Sequence, residues 1–146
     1  MKQITLLLLI GFGLWVGCSQ SIEKDDPQKL KDMLVDYFDG IKNVDLKKMN
    51  ENTTTDYLLF ESGKIWNNDS LYRHLQNRTD TRIKFRFDNF KIYVDNESGH
   101  ISYFNYGDFY VGDTLRNTKE WVENATFRKE QGKWKIDFLQ STLKSK

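Results

Sequence analysis

The chain has 146 residues, a length that suits one domain, and 14% of them are aromatic. Its 22 Lys and Arg nearly balance its 21 Asp and Glu. No net positive surface draws a phosphate backbone, and nucleic-acid binding is set aside. A single cysteine and a single proline exclude a disulfide-stapled scaffold and a long Pro-rich linker.

The N-terminus reads as an export signal. Met1-Lys2 gives a small positive start, and an apolar run from Ile4 to Val16 follows. The run is shorter than the roughly 20 residues a membrane-spanning helix needs, and it fits the apolar region of a signal peptide. Gly17 then precedes Cys18, and a hydrophilic stretch begins at Ser19. A small residue before cysteine at this place resembles a lipobox, with Trp15 where Leu is usual and Leu14 one residue earlier. Cys18 has no second cysteine to pair with, and an unpaired cysteine in an exported chain needs a reason. Lipid attachment at Cys18 supplies one, since acyl chains anchor at about 0.8 kcal/mol per buried methylene. The expected organisation is a lipoprotein signal peptide over 1–18, a polar tether over 19–26 and one domain over 27–146. Membrane contact then runs through the lipid anchor, in the cell envelope. Ser19 lacks the acidic character of an inner-membrane retention signal, which favours the outer membrane of a Gram-negative bacterium by analogy. Five Asn-x-Ser/Thr triplets, at Asn52, Asn68, Asn77, Asn96 and Asn124, are ascribed to composition.

Asp26-Pro27 is a helix start, a capping side chain followed by proline in the first turn. Leu30, Met33, Leu34, Tyr37, Phe38 and Ile41 form an apolar stripe of helical period, which predicts a helix over 27–43. Asp45 caps a second short helix with Leu46 and Met49 inward. Thr53-Thr54-Thr55 ends helical character, and Tyr57–Phe60 is a short strand. Glu61-Ser62-Gly63-Lys64 turns the chain, and Ile65-Trp66 returns. Asn67 to Ser70 offer N-caps for a third helix carrying Leu71, Tyr72 and Leu75.

From Thr81 the apolar period becomes two. Ile83, Phe85 and Phe87 point one way, and Phe90, Ile92 and Val94 continue in the opposite phase. A one-residue slip flips every side chain, so a bulge near Asp88-Asn89 in one long bent strand restores the phase; two separate strands are the alternative. Asn96–Gly99 is a hairpin turn, and the return strand runs from Ile101 to Val111. Gly112-Asp113 starts a loop. Trp121 to Phe127 is the next strand, with Trp121, Ala125 and Phe127 in one phase, and Trp134, Ile136 and Phe138 mark the last strand. Helices followed by strands argue an α+β fold: a cone-like curved antiparallel sheet packed against N-terminal helices. The inside of that cone is where a pocket lies in such an architecture.

The run from Asn124 to Thr142, with its strand, glycine turn, Trp134-Lys135-Ile136 strand and Ser141-Thr142 ending, resembles the close of nuclear transport factor two-like proteins of the SnoaL-like group. Asp56 to Trp66 resembles that group's acidic residue, apolar strand and glycine turn. The resemblance covers roughly residues 27–142. It implies the cone fold, and it leaves the activity open because one fold hosts isomerases, cyclases, dehydratases and non-enzymatic modules.

By position, the resemblance makes Asp56 the candidate general base, its pKa to be raised by burial in the cone. The plain alternative is a solvent-facing aspartate. His74 is a candidate at the pocket mouth, and His100 reads as an exposed hairpin residue. Tyr37, Tyr57, Trp66, Tyr103, Tyr106 and Trp121 either line a pocket for a small apolar ligand or fill a dense core. No His-x-His or cysteine cluster suggests a metal, and no Gly-rich phosphate loop or nucleophile elbow suggests a cofactor or hydrolase site. The sequence thus favours a membrane-anchored, non-enzymatic domain that binds a small ligand or a protein partner. An isomerase-like enzyme using Asp56 and a structural homodimer of an envelope complex are the alternatives.

Overall fold

The computed structural model describes residues 24–78 and 80–145. The expected signal peptide, Cys18 and the first part of the tether lie outside the described residues. Among those described, no helix is long and apolar enough to cross a membrane.

Helix α1 spans Pro27–Asn43. The Asp26 carboxylate accepts from the Gln28 backbone N–H at 2.9 Å, and Pro27 opens the first turn. Its buried stripe is Leu30, Leu34, Tyr37, Phe38 and Ile41. Each of these large side chains contributes about 2 kcal/mol by leaving water. Helix α2, Leu46–Asn52, is capped by Asp45, which accepts from the Lys48 N–H at 3.0 Å. Helix α3, Asn68–Gln76, starts with a reciprocal capping box between Asn67 and Ser70.

Six strands follow the chain as β1 (Thr53–Glu61), β2 (Lys64–Trp66), β3 (Thr81–Val94), β4 (Ser98–Val111), β5 (Thr114–Glu130) and β6 (Lys133–Leu143). They form one sheet in the order β2-β1-β6-β5-β4-β3. The last four strands make the expected antiparallel meander. β1 departs from it by running parallel to β6, with Leu59 beside Leu139. β2, α3, β3, β4 and β5 intervene in the chain between these two strands, so turn chemistry does not announce their pairing.

Three local expectations are met or revised. β3 is one bent strand: its register with β4 shifts between Asp88 and Lys91, and Asn89 adopts φ 56°. The triple threonine is already sheet, because β1 begins at Thr53. Gly112-Asp113 is a tight turn rather than a loop, and Val111 pairs with Thr114 directly across it. Thr114–Glu120 is largely exposed, so it lacks the inward apolar positions that mark Trp121 to Phe127 as strand.

The core lies between α1 and the inner face of the sheet. Phe38 sets edge-on contacts with Phe85 and Phe87, both at 5.1 Å between ring centroids. The end of the expected tether is fastened to the domain. The Asp25 carboxylate accepts from Trp134 Nε1 at 2.8 Å and pairs with Lys29 at 2.5 Å and Lys129 at 3.2 Å. These donors, Lys29 first, hold its carboxyl well below the usual carboxylate range.

Candidate functional site

From Trp121 to Phe127 the inward face of β5 is apolar except at one position. Trp121, Ala125 and Phe127 point inward at alternate residues, and Glu123 stands among them in the same phase, 2% exposed. Cross-strand register places Glu123 opposite Tyr103 of β4 and opposite Ser141 of β6. The Ser141 hydroxyl donates to Glu123 Oε1 at 2.7 Å, and Asn105 Nδ2 donates to Oε2 at 3.1 Å. Burial pushes the Glu123 carboxyl up to about 7; its hydrogen bonds, that from Ser141 first, oppose the shift without cancelling it.

A cavity of about 100 Å³ opens over this carboxylate. Its walls come from Tyr37, Phe38 and Ile41 of α1, Leu71 and Leu75 of α3, and inward residues of the sheet such as Phe85, Trp121 and Leu139. Glu61, Arg78 and Lys119 complete the lining. Arg78 and Lys119 are exposed and Glu61 is half-buried, which puts these three charges at the mouth and Glu123 at the floor. Gly107 makes room for the wall: a Cβ there would lie 2.9 Å from Trp121 Cζ3.

Behind the wall runs a chain of buried hydrogen bonds. The Tyr57 hydroxyl donates to the Tyr37 hydroxyl at 2.9 Å, and Tyr37 donates to Asn68 Oδ1 at 3.3 Å. Asn68 Nδ2 continues to Thr53 Oγ1 at 2.7 Å. Burial holds both tyrosines protonated, with pKa values above the ordinary phenol value. Two polar atoms near the floor have no partner: Asn105 Oδ1 and the Tyr103 hydroxyl. Burial, and then the field of Glu123, raises the Tyr103 pKa as well.

Of the residues singled out in the sequence, Tyr37 and Trp121 line the cavity. Tyr57 stands behind Tyr37, and Tyr103 is buried opposite Glu123. The others lie elsewhere. Asp56 is exposed on β1 and pairs with Arg128 at 2.6 Å. Its Thr54 and Arg128 neighbours lower its pKa, the opposite of the shift a buried general base needs. Asp56 falls on the outward phase of β1, next to the inward Tyr57. His74 is exposed on α3 with its ring 5.2 Å from Trp66, and neither residue lines the cavity. His100 is an exposed hairpin residue, stacked on Tyr93 at 4.7 Å. Glu123 is the residue the sequence reading passed over. Its signal was a carboxylate inside the apolar phase Trp121-x-Glu123-x-Ala125-x-Phe127. Among the described residues, no group of three His, Cys, Asp or Glu is placed to hold a metal ion.

No protein-family model matches the chain, and no curated protein matches it. Solved structures do. One is an NTF2-like protein from Cytophaga hutchinsonii, 15% identical, covering 82% of this chain and 99% of its own, with a TM-score of 0.66. Another is a nuclear transport factor 2-like superfamily protein from Salmonella enterica, 12% identical, covering 82% and 92%, with a TM-score of 0.70. The fold is NTF2-like. A ketosteroid isomerase-like protein from Erwinia carotovora shares it at 13% identity, covering 84% and 98%, with a TM-score of 0.63. Identities this low carry the NTF2-like architecture and leave the activity to the site itself.

Proposed function

We propose that this is an exported NTF2-like domain, lipid-anchored at Cys18 in the cell envelope, that binds a small and mainly apolar molecule inside its cone. The observation that carries the reading is an apolar cavity with a single buried carboxyl, Glu123, at its floor. Sites of this kind use apolar walls for affinity and a few convergent polar groups for orientation. The size of the cavity narrows the ligand. At about 100 Å³ it is smaller than the roughly 150 Å³ that accepts a benzene ring in an engineered core. A single ring or short chain reaching toward the mouth fits, and a fused multi-ring body does not. The lipid anchor rests on the leader, lipobox and lone cysteine of the sequence.

A proton-transfer enzyme is the second reading, and Glu123 rather than Asp56 favours it. A carboxyl with pKa near 7 holds and releases a proton at neutral pH, as an acid–base catalyst must. A homodimer is also proposed, through the outer sheet face where Leu58, Phe60 and Val122 are each 40% exposed.

Titration calorimetry with phenol tests the ligand reading, using the full chain in detergent micelles and empty micelles as blank. Saturable binding that is lost in Leu139→Phe, a variant that fills the cavity and is shown to be folded by circular dichroism, is the expected result. Equal binding by Leu139→Phe places the ligand elsewhere and refutes the reading.

A further inference from the structure

The two ends of the cavity differ in chemistry, and the difference names a ligand class. At the floor, Asn105 Nδ2 donates to the Glu123 carboxylate. A carboxylate accepts and does not donate when ionised, so this bond fixes which way the amide points. The amide end left over is Oδ1, an acceptor, buried and without a partner. Glu123 Oε1 and Oε2 are acceptors too, each with capacity beyond the single bond from Ser141 or Asn105. Among the cavity's lining residues, with Glu123 ionised, the floor therefore offers acceptors, and the Ser141 hydroxyl is already engaged by Glu123. Leaving a buried acceptor unmet costs free energy, so a ligand that brings a hydroxyl hydrogen gains most there.

At the mouth the balance is reversed. Arg78 and Lys119 line it against Glu61 alone, two positive charges to one negative. Arg78 lies 3.4 Å from the ring nitrogen of His74, and Lys119 Nζ sits 5.6 Å from the centre of the Phe109 ring. Neither cation forms a salt bridge among the described residues. An anionic group at the opening meets a guanidinium and an ammonium that no salt bridge engages, and such charge-assisted bonds are the strong ones. Apolar walls separate the two ends.

We propose that the cavity takes a small hydroxy acid: its hydroxyl donates to the Glu123–Asn105 floor, its apolar body lies against Phe38, Trp121 and Leu139, and its carboxylate rests on Arg78 and Lys119. This rests on the ligand-binding reading above and adds the substrate class to it. The second polar end explains why the cavity is open and small together: the carboxylate stays at the rim, hydrated on one side, and only the body enters.

The test is calorimetric titration of the full chain in micelles with 4-hydroxybenzoate, phenol and benzoate. The first carries both ends, and each of the others lacks one. The expected result is that 4-hydroxybenzoate binds at least about tenfold tighter than either, a difference of roughly 1.4 kcal/mol. Its margin over phenol shrinks in Lys119→Met, and its margin over benzoate shrinks in Glu123→Gln. Phenol binding as tightly as 4-hydroxybenzoate removes the role of the mouth cations and overturns the inference while the ligand reading stands. Benzoate binding as tightly does the same for the floor. If none of the three binds, the ligand reading falls and the inference falls with it.

Discussion

Replacing Glu123 with Gln changes how stability depends on pH, and the size of the change follows from the site. The ordinary value of the Glu carboxyl is 4.5, and burial raises it to about 7 in the folded chain. Between those values the folded state binds more protons than the unfolded state. Stability is therefore greatest below 4.5, falls as pH rises through the folded value, and levels off above it. At about 1.4 kcal/mol per pKa unit, the interval is worth about 3 kcal/mol. Gln keeps the shape and carries no charge, so Glu123→Gln abolishes this fall. Urea unfolding of parent and variant at pH 5 and pH 8 measures it. The depressed carboxylates Asp36 and Asp108 lose their contribution only as pH falls through their lowered values, and they are common to both proteins. The variant gains on the parent by up to about 3 kcal/mol between the two conditions. A parent-minus-variant difference that stays constant within about 0.5 kcal/mol refutes the argument, because Glu123 would then titrate alike in both states.

Three further outcomes are expected. Tyr37→Phe strips the hydroxyl that joins Tyr57 to Asn68; it leaves two buried groups short of a partner, costs about 2 kcal/mol, and lowers the urea midpoint accordingly. Asp56→Asn breaks an exposed pair with Arg128 and leaves phenol affinity unchanged by calorimetry, whereas the same substitution abolishes function if Asp56 is the base. Asp25→Asn frees the segment before α1 from Lys29, Trp134 and Lys129, so limited proteolysis there is faster. Because the Asp25 pKa is depressed, the parent loses that protection as pH falls below the usual carboxylate range.

Much of the architecture was legible because it rests on local chemistry. The 27–43 helix follows from Asp26-Pro27 and its stripe, and the bend at Asp88-Asn89 follows from a change of phase. What escaped depends on distant pairing. β1 runs parallel to β6, and that partnership is set by packing across the whole chain rather than by any turn. The length of β5 escaped because its first six residues are exposed and carry no inward apolar pattern. The site was half legible. Tyr37 and Trp121 announced themselves as inward aromatics on a helix face and a strand phase. Asp56 drew attention through its place before an apolar strand, but the alternation of β1 turns it outward to Arg128. Glu123 was readable from the same alternation on β5, where a carboxylate interrupts an inward apolar phase.

Carbon-13 NMR titration of the Glu123 carboxyl, in the free protein and with phenol bound, tests the central claim most directly. The account predicts a midpoint near 7 that moves on saturation with phenol, because the ligand's hydroxyl meets that carboxylate. A midpoint at the ordinary value of 4.5, unmoved by phenol, contradicts it and leaves the cone without a ligand-reading group.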